Sequence, residues 1–238
     1  MNYLSELKAK LLSIRDRGPV KTFRRGNTGV GYTLETLLEL DENNSSGADF
    51  GDIELKAKRD RSSGSKITAF SQAPIWHSRP RAFIKKIGEW KKDKDRFNLY
   101  STAKFGEVNN LGLTLKIDQD PIYGETLYLH SESTKETLGR WPLLVLAFRQ
   151  EQKLSKMVLV NAKSEGRGMS ETFHYDSADF YSTPSPNTLR NLIKDGTLVV
   201  DVRAWFNPVT GKCKDHGVAF RISKSKLHLM YSHQEKIL

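Results

Sequence analysis

Apolar positions along the chain switch between a helical and an alternating period. Leu4, Leu7, Leu11, Leu12 and Ile14 stand at helical spacing and predict an amphipathic helix that Gly18-Pro19 ends. Leu34, Leu37 and Leu38 mark one face of a second helix within Tyr32–Leu40, and Asn43-Asn44-Ser45-Ser46-Gly47 is a turn cluster. Asp52-Ile53-Glu54-Leu55-Lys56-Ala57-Lys58 then alternates charged and apolar residues, as a half-buried strand does. Arg61-Ser62-Ser63-Gly64-Ser65 reads as a hairpin loop and Lys66–Phe70 as the returning strand. Phe83, Ile84, Ile87 and Trp90 predict a helix with a basic outer face.

Further strands are predicted at Phe97–Thr102, Leu111–Ile117, Thr126–His130, Leu143–Phe148 and Met157–Ala162. Thr188–Lys194 reads as a helix with Gly196 as its stop. Strands at Leu198–Arg203 and Gly217–Ile222 bracket a turn-rich loop around Pro208 and Gly211, and a last helix starts near Ser223. The mixture predicts an α/β or mixed α+β fold with several antiparallel pairs and no internal repeat.

Composition narrows the class. The 238 residues suit one large domain or two modest lobes, and 37% hydrophobic with 10% aromatic content speaks against disorder. The longest apolar run, Pro142–Phe148, is far short of the roughly 20 residues of a membrane span. Met1-Asn2-Tyr3-Leu4-Ser5-Glu6 shows no basic-then-apolar signal pattern. Cys213 is the sole cysteine, which leaves neither a disulfide framework nor a cysteine metal site. A cytoplasmic protein is the expectation. Its 38 Lys and Arg against 28 Asp and Glu leave a net charge of +10, which favours polyanionic partners and nucleic acid first.

Phosphodiester hydrolysis needs a divalent cation, a water nucleophile and positive charge for the pentavalent centre. The alternating strand offers parts of that set. Its period puts Glu54, Lys56 and Lys58 on one face and Ile53 and Leu55 on the other. Asp49, just past the turn, lies within reach of the same metal, and Glu35 on the preceding helix is a third carboxylate. Two carboxylates with remaining water positions suit Mg²⁺. The same strand with its polar face in water needs no function at all, so the spacing alone leaves both readings open.

The surrounding residues are more specific. Asp49…Glu54-Leu55-Lys56 is similar to the PD-(D/E)xK nuclease motif. Together with Arg25-Gly26-Asn27-Thr28-Gly29-Val30-Gly31-Tyr32-Thr33-Leu34-Glu35 and Asp49-Phe50-Gly51-Asp52-Ile53-Glu54-Leu55-Lys56, it resembles the MvaI/BcnI type of Type II restriction endonucleases, relatives of the MutH mismatch-repair nickase. Val200-Asp201-Val202-Arg203 and Asp215-His216-Gly217-Val218-Ala219-Phe220-Arg221-Ile222 resemble the DNA-reading segment on the MvaI side of that family. The likeness runs from about Lys21 to Phe70 and from about Leu198 to Ile222.

What the resemblance implies is a PD-(D/E)xK core, a mixed sheet flanked by helices, in two lobes around a DNA cleft. Residues 1–110 would form mainly the catalytic lobe and 111–238 the rest of the core and the base-reading lobe. Asp49 and Glu54 match the metal-binding acids, Lys56 the catalytic lysine and Glu35 the helical glutamate, which would act through a metal-bound water or by positioning Lys56. Asp52 is a second choice as metal ligand. Asp201, Arg203, His216 and Arg221 match positions that read base edges, with Asp215 supporting them. The implied activity is Mg²⁺-dependent cleavage of double-stranded DNA at CC-N-GG, on this side of the family CCWGG, leaving 5′-phosphates. A monomer is implied, with a cognate DNA methyltransferase in the same system and no stable complex with it. Arg and Asp are also what a G·C-rich site demands, since arginine pairs with guanine O6 and N7 and a carboxylate accepts from cytosine N4. Lys212-Cys213-Lys214 stands where the family carries another histidine, which leaves the central base open. Two alternatives remain at this point: a MutH-like strand nickase with the same core, and a non-enzymatic DNA-binding protein with the same charge.

Arg24, Arg25 and the loop glycines before the second helix are candidates for a backbone phosphate, although no Lys-Ser/Thr follows to make a Walker motif. His77 reads as a loop histidine, while His130 and His174 sit in strand contexts. His228 and His233 lack the spacing of a metal pair. Lys85, Lys86, Lys91, Lys92 and Lys94 form a solvated basic face, and Trp141 and Trp205 read as core or lobe-junction aromatics.

Overall fold

Three sheets and five α-helices carry the chain in a computed structural model that describes residues 2–40, 47–60, 66–185 and 189–238. In order, the elements begin with α1 (Tyr3–Asp16), β1 (Val20–Lys21), α2 (Gly29–Leu37), β2 (Glu54–Arg59), β3 (Lys66–Ser71) and β4 (Ile75–Trp76). They continue with α3 (Pro80–Ile87), β5 (Glu89–Lys91), β6 (Arg96–Ala103), β7 (Leu113–Asp120), β8 (Gly124–Ser131) and β9 (Glu136–Pro142). After α4 (Leu143–Leu154) come β10 (Lys156–Glu165), β11 (Thr172–Pro184), α5 (Leu189–Lys194) and β12 (Leu198–Phe206). The chain closes with β13 (Cys213–Asp215), β14 (Ala219–Ser223), a 3₁₀ segment at Lys224–Met230 and β15 (Tyr231–Lys236). The mixed α+β expectation holds. No helix among the described residues is long and apolar enough to cross a membrane.

The chain folds into two compact units, and both are discontinuous in sequence. One comprises residues 1–67, 151–186 and 224–238; the other comprises 68–150 and 187–223. A single division at residue 110 does not coincide with them. The reason lies in the first sheet, where β2 and β10 run parallel. Parallel neighbours need a long crossover, and here the crossover is the first stretch of the second unit.

In the first unit the strand order is β1-β11-β10-β2, with β15 sharing β1's edge of β11 and pairing with its far end. Leu7, Leu11 and Ile14 of α1 and Val30 and Leu34 of α2 pack with Ile53, Leu55, Val158, Val160, Phe173 and Tyr175 into one buried cluster. Every tenth of that apolar burial matters less than its direction: alternation sends Leu55 into the core and keeps Glu54 and Lys56 on the opposite face of β2.

The second unit holds a sheet ordered β3-β14-β12-β6-β5, with β13 also on β12, and a meander ordered β4-β9-β8-β7. Phe220 of β14 stacks on Phe70 at 4.7 Å and meets Trp141 of β9 edge-on at 5.7 Å. Trp141 is therefore core, and its indole N–H donates to the Gln72 carbonyl at 2.9 Å.

Several expectations are corrected. Lys66–Phe70 is a strand but does not return along β2; it pairs with β14 in the other sheet, while residues 61–65 and 43–46 lie outside the described ones. Leu143–Phe148 is helical, with Leu143 and Leu146 buried and Leu144, Val145 and Phe148 exposed. A six-residue apolar run has no period of its own, and the good helix formers Gln150, Glu151, Gln152 and Lys153 that follow decide it. Trp90 belongs to β5 rather than to the helix before it, and the segment after Ser223 is one 3₁₀ stretch followed by a strand.

Candidate active site and base-reading sheet

Glu54 opens β2 and is 3% exposed, among the most buried charged residues of the chain. Lys56, two residues on and so on the same face, donates from Nζ to Glu54 Oε1. Lys153, in the last turn of α4, places its Nζ 3.3 Å from Oε2 of the same carboxylate. Asp49 Oδ2 accepts the Leu55 amide at 2.9 Å, which pins this exposed side chain to the start of the strand. Burial pushes the Glu54 carboxyl above its ordinary range, with Asp49 acting in the same direction and Lys56 and Lys153 against it.

The sequence-predicted catalytic residues are thus brought together in part. Asp49, Glu54 and Lys56 converge at the head of β2. Glu35 lies on α2, which packs on β2, and its Oε1 is 3.6 Å from the position a side chain at Gly31 would take. It also acts electrostatically on the Tyr175 hydroxyl, which donates to the Val30 carbonyl at 2.7 Å. Asp52 turns elsewhere: its carboxylate is paired with Lys156 at 2.5 Å. Among the described residues no three His, Cys, Asp or Glu side chains gather as a metal cage. An all-oxygen pair from Asp49 and Glu54 fits a hard cation that keeps several waters and takes phosphate oxygens for the rest. Lys153 lies beyond the reach of the sequence reading, which predicts a strand at Leu143–Phe148 where the structure has the first half of α4.

Arg59 ends the same strand. It grips Glu171 through Nε at 2.6 Å and Nη2 at 2.8 Å, and reaches the Gly26 and Asn27 carbonyls at 2.9 and 3.1 Å. The loop before α2 is therefore latched to β2. Gly29 is required there, since a Cβ would stand 2.3 Å from the Arg24 carbonyl oxygen. Arg24 lies over the Tyr32 ring at 3.6 Å and Arg25 is exposed. Arg59 holds the Glu171 carboxyl below the ordinary glutamate range. Arg59→Met is expected to cost about 2 kcal/mol of stability at neutral pH, from lost hydrogen bonds to a charged group. Because the folded pKa of Glu171 is depressed, the Glu171 share of that cost is present above about pH 4.3, the unfolded value, and fades as the pH falls through the folded one, while the share from the Gly26 and Asn27 carbonyls stays. Denaturant melts of both proteins over a pH series from 7 downwards check this; a cost that stays constant over the whole series would assign it to the carbonyl bonds and packing instead.

The second unit presents another polar face. Register places Thr102 opposite Asp201 and Tyr100 opposite Arg203 on β6 and β12, and Arg221 opposite Val199 on β14. Directly opposed residues share a face, so Asn98, Tyr100, Thr102, Asp201, Arg203, Trp205 and Arg221 form one array. The alternate positions Leu99, Val200, Val202, Ala204, Phe220 and Ile222 are buried. Asp201 is nearly buried; its Oδ1 accepts from Thr102 Oγ1 and its Oδ2 from Arg221 Nη1, each at 2.6 Å. Its carboxylate thus fixes the arginine, and each oxygen keeps a second lone pair. Arg203 Nη2 donates weakly to the His216 carbonyl at 3.4 Å, and its buried Nε has no acceptor among the described residues. Asp215 on β13 accepts the Gly217 amide at 2.8 Å, closing a turn that needs φ +81° at that glycine and sets the His216 side chain out beside Tyr100. Burial and the nearby Lys214, Arg203 and Arg96 lower the His216 pKa, so the ring is neutral at pH 7.

The sequence reading does not assign Arg96, Asn98, Tyr100 or Thr102 to this face. Arg96 lies over the Trp205 ring at 4.7 Å and donates to Asn98 Oδ1 at 2.8 Å, and Tyr100 is 46% exposed. The period-2 pattern of β6, which starts at Arg96, carries the signal for all four. His77 is exposed, and Lys86, Lys91 and Lys94 each pair with an acid, which makes the basic surface around α3 largely self-compensated.

An acid pair with lysines at a strand head, and a separate sheet face rich in Arg, Asp and His, belong together in an enzyme that cuts DNA where it has first read it. The class is that of site-specific deoxyribonucleases with a PD-(D/E)xK core. More narrowly, the chain belongs to the MvaI/BcnI restriction endonuclease family, whose family model matches residues 8–231. Restriction endonucleases of this family generally use divalent metal ions. The fold is similar to that of a restriction endonuclease MvaI–cognate DNA substrate complex, with 27% identity, coverage of 100% of this chain and 99% of the other, and a TM-score of 0.79. Restriction endonuclease MvaI in the absence of DNA is similar at 27% identity, 100% and 98% coverage and a TM-score of 0.52. No curated protein matches.

Proposed function

We propose that this enzyme is a Mg²⁺-dependent Type II restriction endonuclease that cuts double-stranded DNA at CCWGG. The observation that carries the reading is the Glu54 carboxylate, buried at a strand head between Lys56 and Lys153 with Asp49 beside it. Asp49 and Glu54 would hold the cation, which when bound polarises the phosphoryl oxygens and supplies water of lowered pKa. Lys56 orients the attacking water and carries developing negative charge. Glu35 assists from α2, through the water shell or by positioning Lys56. Water oxygen attacks phosphorus, the bond to the 3′ oxygen breaks, and the products are a 5′-phosphate and a 3′-hydroxyl.

Recognition would fall to the second unit. Arg203 and Arg221 suit guanine O6 and N7, His216 offers a neutral ring to a base edge, and Asp201 and Asp215 position them; the remaining lone pairs of Asp201 also suit cytosine N4. Arg24 and Arg25 would take backbone phosphate at the start of α2. The protein would act as a monomer, with a cognate methyltransferase protecting the same site.

Digestion of a plasmid of known sequence in Mg²⁺, followed by sequencing of the ends, tests this directly. The expected result is cuts before the central base of CCWGG with a one-base 5′ overhang and 5′-phosphates, abolished by EDTA. Cuts at CCSGG would move the central-base assignment, single-strand nicks at an unrelated site would favour a MutH-like activity, and uncut plasmid would overturn the proposal.

A further inference from the structure

The charged groups acting on Glu54 are Lys56, Asp49 and Lys153. Among the described residues, two acids and two ammoniums therefore meet at the head of β2, and the ammoniums offset the two acids. Lys153 is no surface bystander: its side chain is 14% exposed and it faces Glu54 Oε2 at 3.3 Å, while Lys56 takes Oε1. Three residues on, Lys156 goes instead to Asp52. The α4–β10 junction thus gives one lysine to each of two acids. Acids offset in this way pull less strongly on a divalent cation, and each oxygen of Glu54 already faces an ammonium. A DNA phosphate brings both the missing negative charge and further oxygen ligands.

We propose that Lys153 is a positioning residue that couples metal loading to DNA: by balancing Glu54 it keeps the site from taking a divalent cation firmly until a DNA phosphate arrives. This rests on reading Asp49 and Glu54 as the metal ligands. One lysine of the pair, Lys56, serves the reacting water; the other, from a separate helix, sets when the cation binds.

Calorimetric titration of Ca²⁺ into the full chain, alone and with a CCWGG duplex, tests the coupling without relying on turnover. The unsubstituted protein is expected to bind Ca²⁺ at least about tenfold more tightly with the duplex than without it. Lys153→Met is expected to raise the affinity of the free protein about tenfold and close most of that gap, whereas Lys153→Arg keeps the gap. Lys153→Gln repeats the test with a polar replacement where methionine lowers the thermal midpoint. A free-protein affinity unchanged or lowered in both neutral variants would overturn the proposal and leave Lys153 as a mere brace for Glu54. Glu54→Gln in the same titration separates the two levels. Ca²⁺ binding indifferent to Glu54→Gln overturns the metal-ligand reading itself, while a Glu54-dependent site indifferent to Lys153 overturns only the coupling.

Discussion

Glu54→Gln is expected to lower cleavage in Mg²⁺ by at least about 10³-fold, the scale on which removing one preorganised electrostatic group acts, while duplex binding changes little. The amide keeps the shape of the side chain and one oxygen to accept from a lysine, but it loses the charge a cation needs. The fold should bear the change. Burial and Asp49 already work against the carboxylate at this position, so a neutral group of equal size relieves a desolvation cost as it forfeits the attraction of two ammoniums. Plasmid nicking at several Mg²⁺ concentrations, with gel-shift binding in Ca²⁺ and a thermal melt as companions, reads the three quantities separately. Cutting retained within tenfold would remove Glu54 from the metal site, and a midpoint lowered by many degrees would assign the lost activity to unfolding.

How far this site could be read without coordinates follows from the range of its interactions. Asp49, Glu54 and Lys56 are near neighbours in sequence, and a period of two is enough to put Glu54 and Lys56 on one face. Lys153 reaches Glu54 from 99 positions away in a helix that the apolar run before it disguised. No local pattern encodes that contact. The same holds for the grip of Arg59 on Glu171, which spans 112 positions. Asp52 shows the opposite failure. Its closeness in sequence to Asp49 and Glu54 invites the same role, yet its carboxylate pairs with Lys156.

Strand identity was legible wherever alternation ran unbroken, as in β6, β8 and β12. β11, at 13 residues the longest strand among the described residues, is legible in the sequence only as a strand context around His174. Its pairing with β10 shifts register where Asn161 faces Ser177 and Ala162 faces Tyr175, leaving Asp176 as an extra residue. A bulge of this kind reverses the phase of inward and outward positions, so Phe173 and Tyr175 alternate in one phase and Ala178 and Phe180 in the other. Strand partners were less legible than strands. The Lys66–Phe70 segment was recognised yet given to the wrong neighbour, because a short loop suggests a hairpin while parallel pairing of β2 with β10 is decided by contacts beyond any local window.

On the reading face, Arg221→Ala is expected to cost about 1–3 kcal/mol of discrimination between CCWGG and singly altered sites, with a smaller loss of affinity for unrelated DNA. The pair with Asp201 explains why this arginine should matter. Asp201 is clamped by Thr102 and holds Arg221 Nη1 at 2.6 Å, and the two side chains are 12% and 29% exposed, so the guanidinium is aimed before DNA arrives. An arginine already fixed loses less rotamer freedom on binding and makes a bidentate contact that lysine cannot reproduce. Asp201→Asn should therefore weaken discrimination without touching the arginine, and the two substitutions together should cost less than their sum, as coupled neighbours do. Competition binding with duplexes altered one base pair at a time measures all three proteins. Equal weakening on every sequence by Arg221→Ala would make Arg221 a phosphate contact. Strict additivity with Asp201→Asn would mean that the carboxylate reads a base independently of the arginine it holds.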